Sequence, residues 1–446
     1  MASSIDTTVP LPFELPQLPE TVNHTPWPAQ NFLHVDPAGD VFHVMVSRTT
    51  YSLRGMQPDS AGLMQPKLLP PGEQVPLVAQ DSYRGHLNSS SVTGESDFAP
   101  YKPLCDVVLV NAQACAPQNE PSERWAVGFR FGDAFSKVLN VTGPRHYEPS
   151  RSVAGGFQLT KPKPAVRVPI CYELAYGGPN LVAAHAQPDP PATEPQGVEP
   201  GQRKLPAFYA PNPIGAGRWG GKDTRAWIET ERESLLEAQH KTKEARGAHD
   251  SLTHNFNAEL RYRGPQIEPH DQAFGGSEKD FPVAGYGPVS RWWQPRQQLA
   301  GTHDAQWKAR QWPKSPKDHD YRYWNFAPED QQIAYPEGGE QITLANLTPA
   351  MPPAEGAEPG NSQLVHFALP EQPLKVLVRM QAGPLLLMPM HIDTIVIDFA
   401  DGSLSVVRRA LIPASLDVRK LELGTWTDDA AAISVAGAEP QRPVRV

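Results

Sequence analysis

The sequence predicts a mainly β protein. Its antiparallel, sandwich-like sheets are joined by long irregular connections rich in proline and glycine, with one or two helices in the middle segment. Proline accounts for 50 of the 446 residues, about twice its usual frequency, and proline disrupts helix interiors. Short apolar runs are bounded by turn residues, as buried strands are. Only residues 223–246 have the length and charge pattern of a long helix.

Five segments in the first half of the chain have the composition of strands. Residues 41–53 are β-branched and aromatic, and residues 107–110 form an apolar run entered through prolines. Aromatic and small residues alternate over 125–131, and 138–142 is the expected hairpin partner of that strand. A second alternation, over 166–172, predicts another sheet element with prolines at its ends.

Strand signals return near the C-terminus. The predicted strands carry the sequences QITLANL, QLVHFAL, LKVLVRM and HIDTIVIDF, followed by SLSVVRRALI. The last two are joined through Asp401-Gly402, a dipeptide strongly favoured in hairpin turns. Between the two β regions, Asp223 is a possible cap for a helix over 223–246, and a short helix fits 304–311.

These signals divide the chain into three regions. Residues 1–184 form an N-terminal β region, 185–330 an irregular, aromatic-rich middle with a helical insertion, and 331–446 a C-terminal β region. Length alone allows two or three units.

Composition excludes several functional classes. The formal net charge is −9, which offers no cationic surface for nucleic acid or an anionic membrane. The sequence starts without a secretory signal and has no apolar run long enough to span a bilayer, so no membrane insertion is expected. Three cysteines without paired spacing indicate buried thiols in a reducing compartment. The expected location is the cytoplasm.

The motifs that suggest catalysis are incomplete. GAGRWG at 215–220 has the spacing of a dinucleotide fingerprint but follows prolines instead of a strand, which favours a glycine-rich loop. His391 and Asp393 lie two apart on a predicted strand, hence on one face, where a polar pair at a sheet edge or a metal site is possible. A zinc site needs at least three protein ligands. No catalytic residue, metal site or cofactor is therefore predicted.

Charged and aromatic residues leave two interpretations open. The charged residues Lys102, Asp106, Arg167 and Glu173 are either functional or solvated strand termini with local ion pairs, and the second is favoured. The tryptophans between 292 and 324 favour core packing, with a partner-binding surface as the alternative.

Several co-linear motifs resemble those of the domain-of-unknown-function 2169 (DUF2169) family. The first is ESDFAPYKPLCDVVLVNAQACAP at 95–117, followed by VTGPRHYE at 141–148. VPICYELAYGGP and NPIGAGRWG come next, and NPIGAGRWG explains the glycines better than a nucleotide fingerprint does. GYGPVSRWWQPRQQLAGTHDAQWKARQWP and RYWNFAPEDQQ resemble the later blocks, so the likeness extends over about residues 28–410.

The resemblance implies a non-enzymatic adaptor or chaperone of type VI secretion that binds an effector toxin and loads it onto the VgrG spike protein. The middle region, 185–330, is the expected cargo face. The alternatives are a metal-dependent hydrolase using His391 and Asp393, and a structural spike or baseplate component. The charged and aromatic motif residues are the candidate partner-binding residues: Asp97, Tyr101, Lys102, Asp106, Tyr172, Glu173, Trp292 and Trp293.

Overall fold

The computed structural model describes nine ranges of the chain: 15–60, 62–87, 89–149, 157–178, 209–218, 263–276, 281–347, 363–383 and 385–426. Within them lie 24 strands and two short α-helices. The prediction of a mainly β fold with one or two helices in the middle segment is confirmed.

A 12-stranded mixed sheet forms the centre of the fold. Its strands, in spatial order, are β16 (Ile267–Pro269), β10 (Phe135–Thr142), β9 (Arg124–Phe131), β18 (Gln341–Ala345), β19 (Leu364–Ala368), β4 (Met64–Leu68), β3 (Val41–Pro58), β23 (Ser403–Pro413), β22 (His391–Asp398), β7 (Cys105–Val110) and β17 (Gln332–Ile333). The twelfth strand, β2 (Ala29–Val35), pairs with one end of β3. The predicted hairpins β9–β10 and β22–β23 are confirmed, and β7 runs parallel to β22.

A second, four-stranded sheet packs on the central one. Its strands are β1 (Glu20–Asn23), β24 (Val418–Gly424), β20 (Lys375–Met380) and β21 (Leu386–Pro389). Val376 and Leu421 of this sheet belong to one buried cluster with Met45 and Ile412 of β3 and β23. The two sheets therefore form a local sandwich with an apolar interior.

Four short two-stranded ladders flank the sheets. They are β5 (Ser82–Tyr83) with β6 (Val92–Gly94), β8 (Gln113–Cys115) with β13 (Arg167–Pro169), β11 (Tyr147–Pro149) with β12 (Phe157–Leu159), and β14 (Tyr176–Gly177) with β15 (Ala216–Gly217). The strand predicted over 166–172 is too long: it ends at Pro169, which cannot donate to a ladder, and Tyr172–Leu174 form a 3₁₀ turn.

The α-helices are short. They are α1 (Gln294–Gln297) and α2 (Ala305–Arg310), and α2 confirms the short helix predicted over 304–311. The Asp304 side chain caps α2 by accepting the Trp307 N–H. The helix predicted over 223–246 lies outside the described residues. No helix among the residues that are described is long and apolar enough to cross a membrane.

One main hydrophobic core underlies the large sheet. It joins residues from both predicted β regions, such as Val107, Phe129, Ile342 and Leu404, with Trp293 from the middle region. Regions 1–184 and 331–446 therefore share one sheet and one core, and their boundaries at 184 and 330 stay predictions.

Candidate functional site

Asp106 is a fully buried carboxylate at the start of β7. A motif lysine and one short segment of the middle region supply its hydrogen bonds. The donors are Lys102 Nζ at 2.8 Å, Asn325 Nδ2 at 3.1 Å, and the backbone N–H groups of Phe326 at 3.1 Å and Ala327 at 3.0 Å. Buried carboxylates persist as anions where such donors compensate for lost hydration.

Lys102 is also enclosed, with 2% of its surface exposed. Its Nζ donates to Thr394 Oγ1 at 2.7 Å and lies 3.9 Å from the centre of the Phe326 ring. The interpretation of Lys102 and Asp106 as solvated strand ends is wrong, because residues 325–327 cover both of them. The two residues act as an internal ion pair that ties β7 to the middle region.

A second buried ion pair lies on the same motif blocks. Both guanidinium Nη atoms of Arg296 donate to the Glu95 carboxylate at 2.8 Å, and Arg291 Nη2 donates to it at 2.8 Å. Burial by itself raises the pKa of Glu95, but the arginines, Arg296 foremost, hold it below its ordinary value. We name Glu95, Lys102, Asp106, Arg296 and Asn325 the motif cluster.

Two further candidate carboxylates have partners inside the fold. Asp97 is 5% exposed, accepts Arg48 Nη1 at 3.0 Å and accepts the Val78 N–H at 2.8 Å. Glu173 is half-buried and accepts the Ser91 N–H at 2.8 Å. Both carboxylates therefore fix loops that precede or follow motif strands.

The aromatic candidates separate into buried and half-buried residues. Tyr172 and Trp293 are buried and meet edge to face with ring centroids 5.0 Å apart. Trp292 and Tyr101 are half-buried. Trp293 confirms the core interpretation of the tryptophans at that position, whereas Trp312 is 49% exposed.

Burial restricts which predicted binding residues are accessible to a partner. The side chains of five candidates are enclosed in the fold: Asp97, Lys102, Asp106, Tyr172 and Trp293. Direct contact with a partner is sterically open to Tyr101, Glu173 and Trp292, which remain partly exposed.

The glycine-rich motif lets the backbone of β15 pack closely against that of β14. β15 lies parallel to β14, and a Cβ at Gly215 would come within 2.7 Å of the Ala175 carbonyl oxygen. Buried Asn212 donates to the Tyr172 carbonyl at 2.9 Å and the Tyr176 carbonyl at 3.1 Å. The glycines thus permit close packing between two motif segments, in agreement with a glycine-rich loop.

His391 and Asp393 do not converge on a common point. A β-bulge between Ile392 and Thr394 interrupts the two-residue alternation, leaving His391 exposed and Asp393 buried. Arg409 Nε donates to Asp393 at 2.6 Å, while His391 stacks on Tyr335. The expectation that they share one face is therefore wrong, whereas residues 391–393 precede Thr394, where the pairing of β22 with β7 begins. In the described ranges, no group of three His, Cys, Asp or Glu side chains is placed to hold a metal.

The cysteines have the environment of unreactive thiols. Cys105 and Cys115 are buried, as predicted, and Cys171 is half-buried. Burial raises the pKa of the Cys171 thiol to about 12, with the Glu173 carboxylate adding to the shift. Because the thiolate is the nucleophile, this environment disfavours cysteine chemistry.

A wide cleft of about 940 Å³ opens beside the motif cluster. One wall is the outer part of β10, and the other is formed by the segments around residues 282–299 and 322–332. Five prolines line it: Pro211, Pro269, Pro282, Pro295 and Pro328. Sequence analysis did not identify β10 as part of a site, because the residues of β10 that line the cleft, 136–139, lie in no quoted motif.

Charges in this cleft are unequally compensated. Lys137 pairs with Asp330 at 2.8 Å, and Arg322 pairs with Asp320 outside the lining. Asp271 and Glu329 line the cleft without an ion-pair partner among the described residues. Arg296 also lines the cleft and is paired with Glu95 behind it, and Arg322 acts electrostatically on Glu329 as well. Asp271 and Glu329 are therefore the carboxylates of the lining that are not committed to an ion pair within the described ranges.

Comparison with known proteins identifies one family. A family model described as an uncharacterized protein conserved in bacteria (DUF2169) matches residues 40–247 and 241–409. These matches include every member of the motif cluster and both walls of the cleft. No curated protein and no solved structure matches the chain significantly.

Proposed function

The chain belongs to the DUF2169 family of bacterial proteins, and from this premise we propose that it is a non-enzymatic adaptor or chaperone of type VI secretion. In this proposal it resides in the cytoplasm, binds an effector toxin and delivers it to the VgrG spike protein. The motifs quoted above for the resemblance to such adaptors support the proposal.

The observation that carries the proposal is that the charged motif residues are buried and paired with one another inside the fold. Asp106 and Glu95 are each surrounded by donors from segments about 200 residues away in sequence, and both are buried. Charges committed to internal pairs stabilise a shape and are not exposed to substrate. A rigid scaffold of this kind suits recognition of another protein.

The cleft supports a cargo face in the middle region. Much of its lining belongs to residues 185–330, the region expected to contact cargo, and the opposing wall is the edge of a β-sheet. Protein-recognition surfaces of this type combine a sheet edge or a groove with apolar and proline side chains. For the parts of region 185–330 outside the described residues, contact with cargo stays a prediction.

Affinity purification from a host that encodes a type VI system tests the proposal. We expect the tagged protein to retain one effector, identified by mass spectrometry, and Leu299→Arg in the cleft to abolish its retention. Leu364→Arg is the matched control, because Leu364 is 48% exposed on β19, does not line the cleft and should leave retention unchanged.

Two outcomes contradict the proposal. Purification without any effector would remove the adaptor function. Recovery of the protein in the medium as part of secreted spike material would instead favour a structural spike component.

A further inference from the structure

Strand β10 extends beyond the strand that covers it. β16 pairs with Leu139, Asn140 and Val141 only, and ends at Pro269 opposite Leu139. The neighbouring residues 135–138 pair with β9 on the inner side. The outer side of β10 is therefore uncovered over its first half, within the described residues.

The direction of the uncovered backbone groups follows from the ladder. The Thr142 N–H donates to the Gln266 carbonyl at 2.8 Å, so Thr142 faces the β16 side. In an antiparallel strand the N–H and C=O groups of alternate residues point to the same side. Val138 and Ser136 therefore direct their N–H and C=O groups outward, beyond the end of β16. We name residues 136–138 the open edge.

The open edge is accessible. Ser136 and Val138 are both exposed, and the Val138 side chain is one of the large apolar groups that solvent reaches, at 37% exposure. No hydrogen bond to the outward groups of these two residues comes from the described part of the chain. Unpaired strand edges are templates for pairing with another chain.

The cleft lies along this edge. Ser136, Val138 and Leu139 line it together with Pro269, where β16 ends. Three strand residues span about 10 Å at 3.3 Å per residue. The cleft thus offers a β-edge, apolar walls and room for an extended segment on the same line as β16.

The charge of the lining indicates the chemistry of the occupant. Asp271 follows β16 and Glu329 lies on the opposite wall, and both carboxylates lack an ion-pair partner in the described ranges. Positive side chains on an incoming strand would compensate them, and such complementarity accelerates encounter.

We propose that the open edge binds an extended segment of a partner protein as an additional β-strand, with apolar side chains alternating with lysine or arginine. The segment continues the line of β16, pairs with Ser136 and Val138 through its backbone, and places its basic side chains near Asp271 and Glu329. This inference rests on the proposed adaptor function and specifies how cargo is held.

Hydrogen exchange with a defined probe tests the inference on the full chain. The probe is a blocked heptapeptide of alternating valine and lysine, and the matched control peptide alternates valine and glutamate. We expect the lysine peptide to slow exchange of the Ser136 and Val138 amides at least tenfold, and the glutamate peptide to leave them unchanged.

Val138→Pro removes one outward N–H, while the β9 ladder uses the groups of alternate residues and is retained. We expect this variant to bind the lysine peptide at least tenfold more weakly. Val138→Ala, which keeps the N–H, should stay within threefold of the parent. If Val138→Pro does not fold, the exchange measurement on the parent protein decides alone.

Three results overturn the inference: equal binding by Val138→Pro and the parent, equal protection by both peptides, or amides at 136 and 138 that are already protected in the free protein as strongly as those at 139–141. The last result would mean that the chain covers its own edge. Failure here with an effector still retained in the purification refutes strand addition and leaves the adaptor function standing.

Discussion

The motif cluster and the cleft differ in how their charges are used. In the motif cluster, Asp106 has four hydrogen-bond donors and almost no contact with solvent. In the cleft, Asp271 and Glu329 face solvent without ion-pair partners among the residues described. The difference teaches that the buried charges of the motif blocks build the scaffold. The accessible surface combines the β10 edge with exposed residues, among them Glu329, which itself belongs to the block RYWNFAPEDQQ.

Removing the Asp106 carboxylate is expected to have the largest effect. Asp106→Ala leaves the Lys102 ammonium buried without its anion, together with two unpaired backbone N–H groups. Breaking a buried ion pair costs about 3–5 kcal/mol. We expect the free energy of unfolding to fall by that amount in a urea titration followed by tryptophan fluorescence.

Asp133→Ala is the control for this measurement. The Asp133 side chain is fully exposed, with a relative accessibility of 101%, and pairs with Arg130 on the surface. Exposed pairs contribute about 0–1 kcal/mol. Equal losses in Asp106→Ala and Asp133→Ala would mean that the motif cluster does not stabilise the fold.

Glu95 is expected to have the next largest effect, with a defined pH dependence. Glu95→Gln keeps the shape but loses the charge opposite Arg296, and hydrogen bonds to charged groups contribute about 1.5–3 kcal/mol. Because the folded-state pKa of Glu95 lies below its ordinary 4.5, its contribution is present above that pH and is lost as the pH falls further. Urea titrations between pH 6 and 3 should show a shallower acid loss for Glu95→Gln than for the parent. Glu73→Gln, an exposed control, should reproduce the parent profile.

Much of the sheet framework was predictable from local sequence. The alternation in 125–131, the apolar run at 107–110 and the Asp401-Gly402 turn each identified strands that the structure contains. These signals depend on neighbours in sequence, through side-chain periodicity and turn geometry. The predicted continuation of the strand beyond residue 169 was wrong, because the apolar alternation in the sequence continues into a 3₁₀ turn.

The candidate site was less predictable, because its determinants are long-range. Lys102 and Asp106 were interpreted as solvated, since no feature of their own sequence segment indicates that residues 325–327 cover them. The partners Arg296 and Asn325 lie within quoted motif blocks, so their presence there was the available signal. The open edge had no sequence signal, since it arises from the difference in length between β10 and β16.

His34, at the margin of the motif region, should show a smaller and separate pH effect. Its Nε2 lies 2.9 Å from the Tyr321 hydroxyl, and burial lowers its pKa from 6.5 to about 4. The unfolded chain therefore takes up the proton first, so this contribution is present above pH 6.5 and is lost as the pH falls toward 4. Because the His34 side chain is partly exposed, we expect the free energy of unfolding to fall by only about 1 kcal/mol.

His34→Phe isolates this effect, since phenylalanine keeps the ring beside Tyr321 and cannot be protonated. We expect its stability to be flatter than that of the parent between pH 6.5 and 4.5, measured by thermal unfolding. If the stability of both proteins fell equally with pH in this interval, protonation of His34 would not be the cause of the loss of stability.

The cleft carboxylates should have the smallest effect on stability, and this sharpens the contrast with the motif cluster most directly. Asp271→Asn and Glu329→Gln remove exposed charges that no described ion pair uses, and such surface substitutions change stability by less than about 0.5 kcal/mol. Both variants should unfold at the parent urea midpoint. They should nevertheless weaken binding of the lysine heptapeptide, since each substitution removes electrostatic attraction to the lysine side chains without altering the backbone of β10. A loss of stability comparable to that of Asp106→Ala would show that the cleft carboxylates support the fold, and the separation between scaffold and surface would fail.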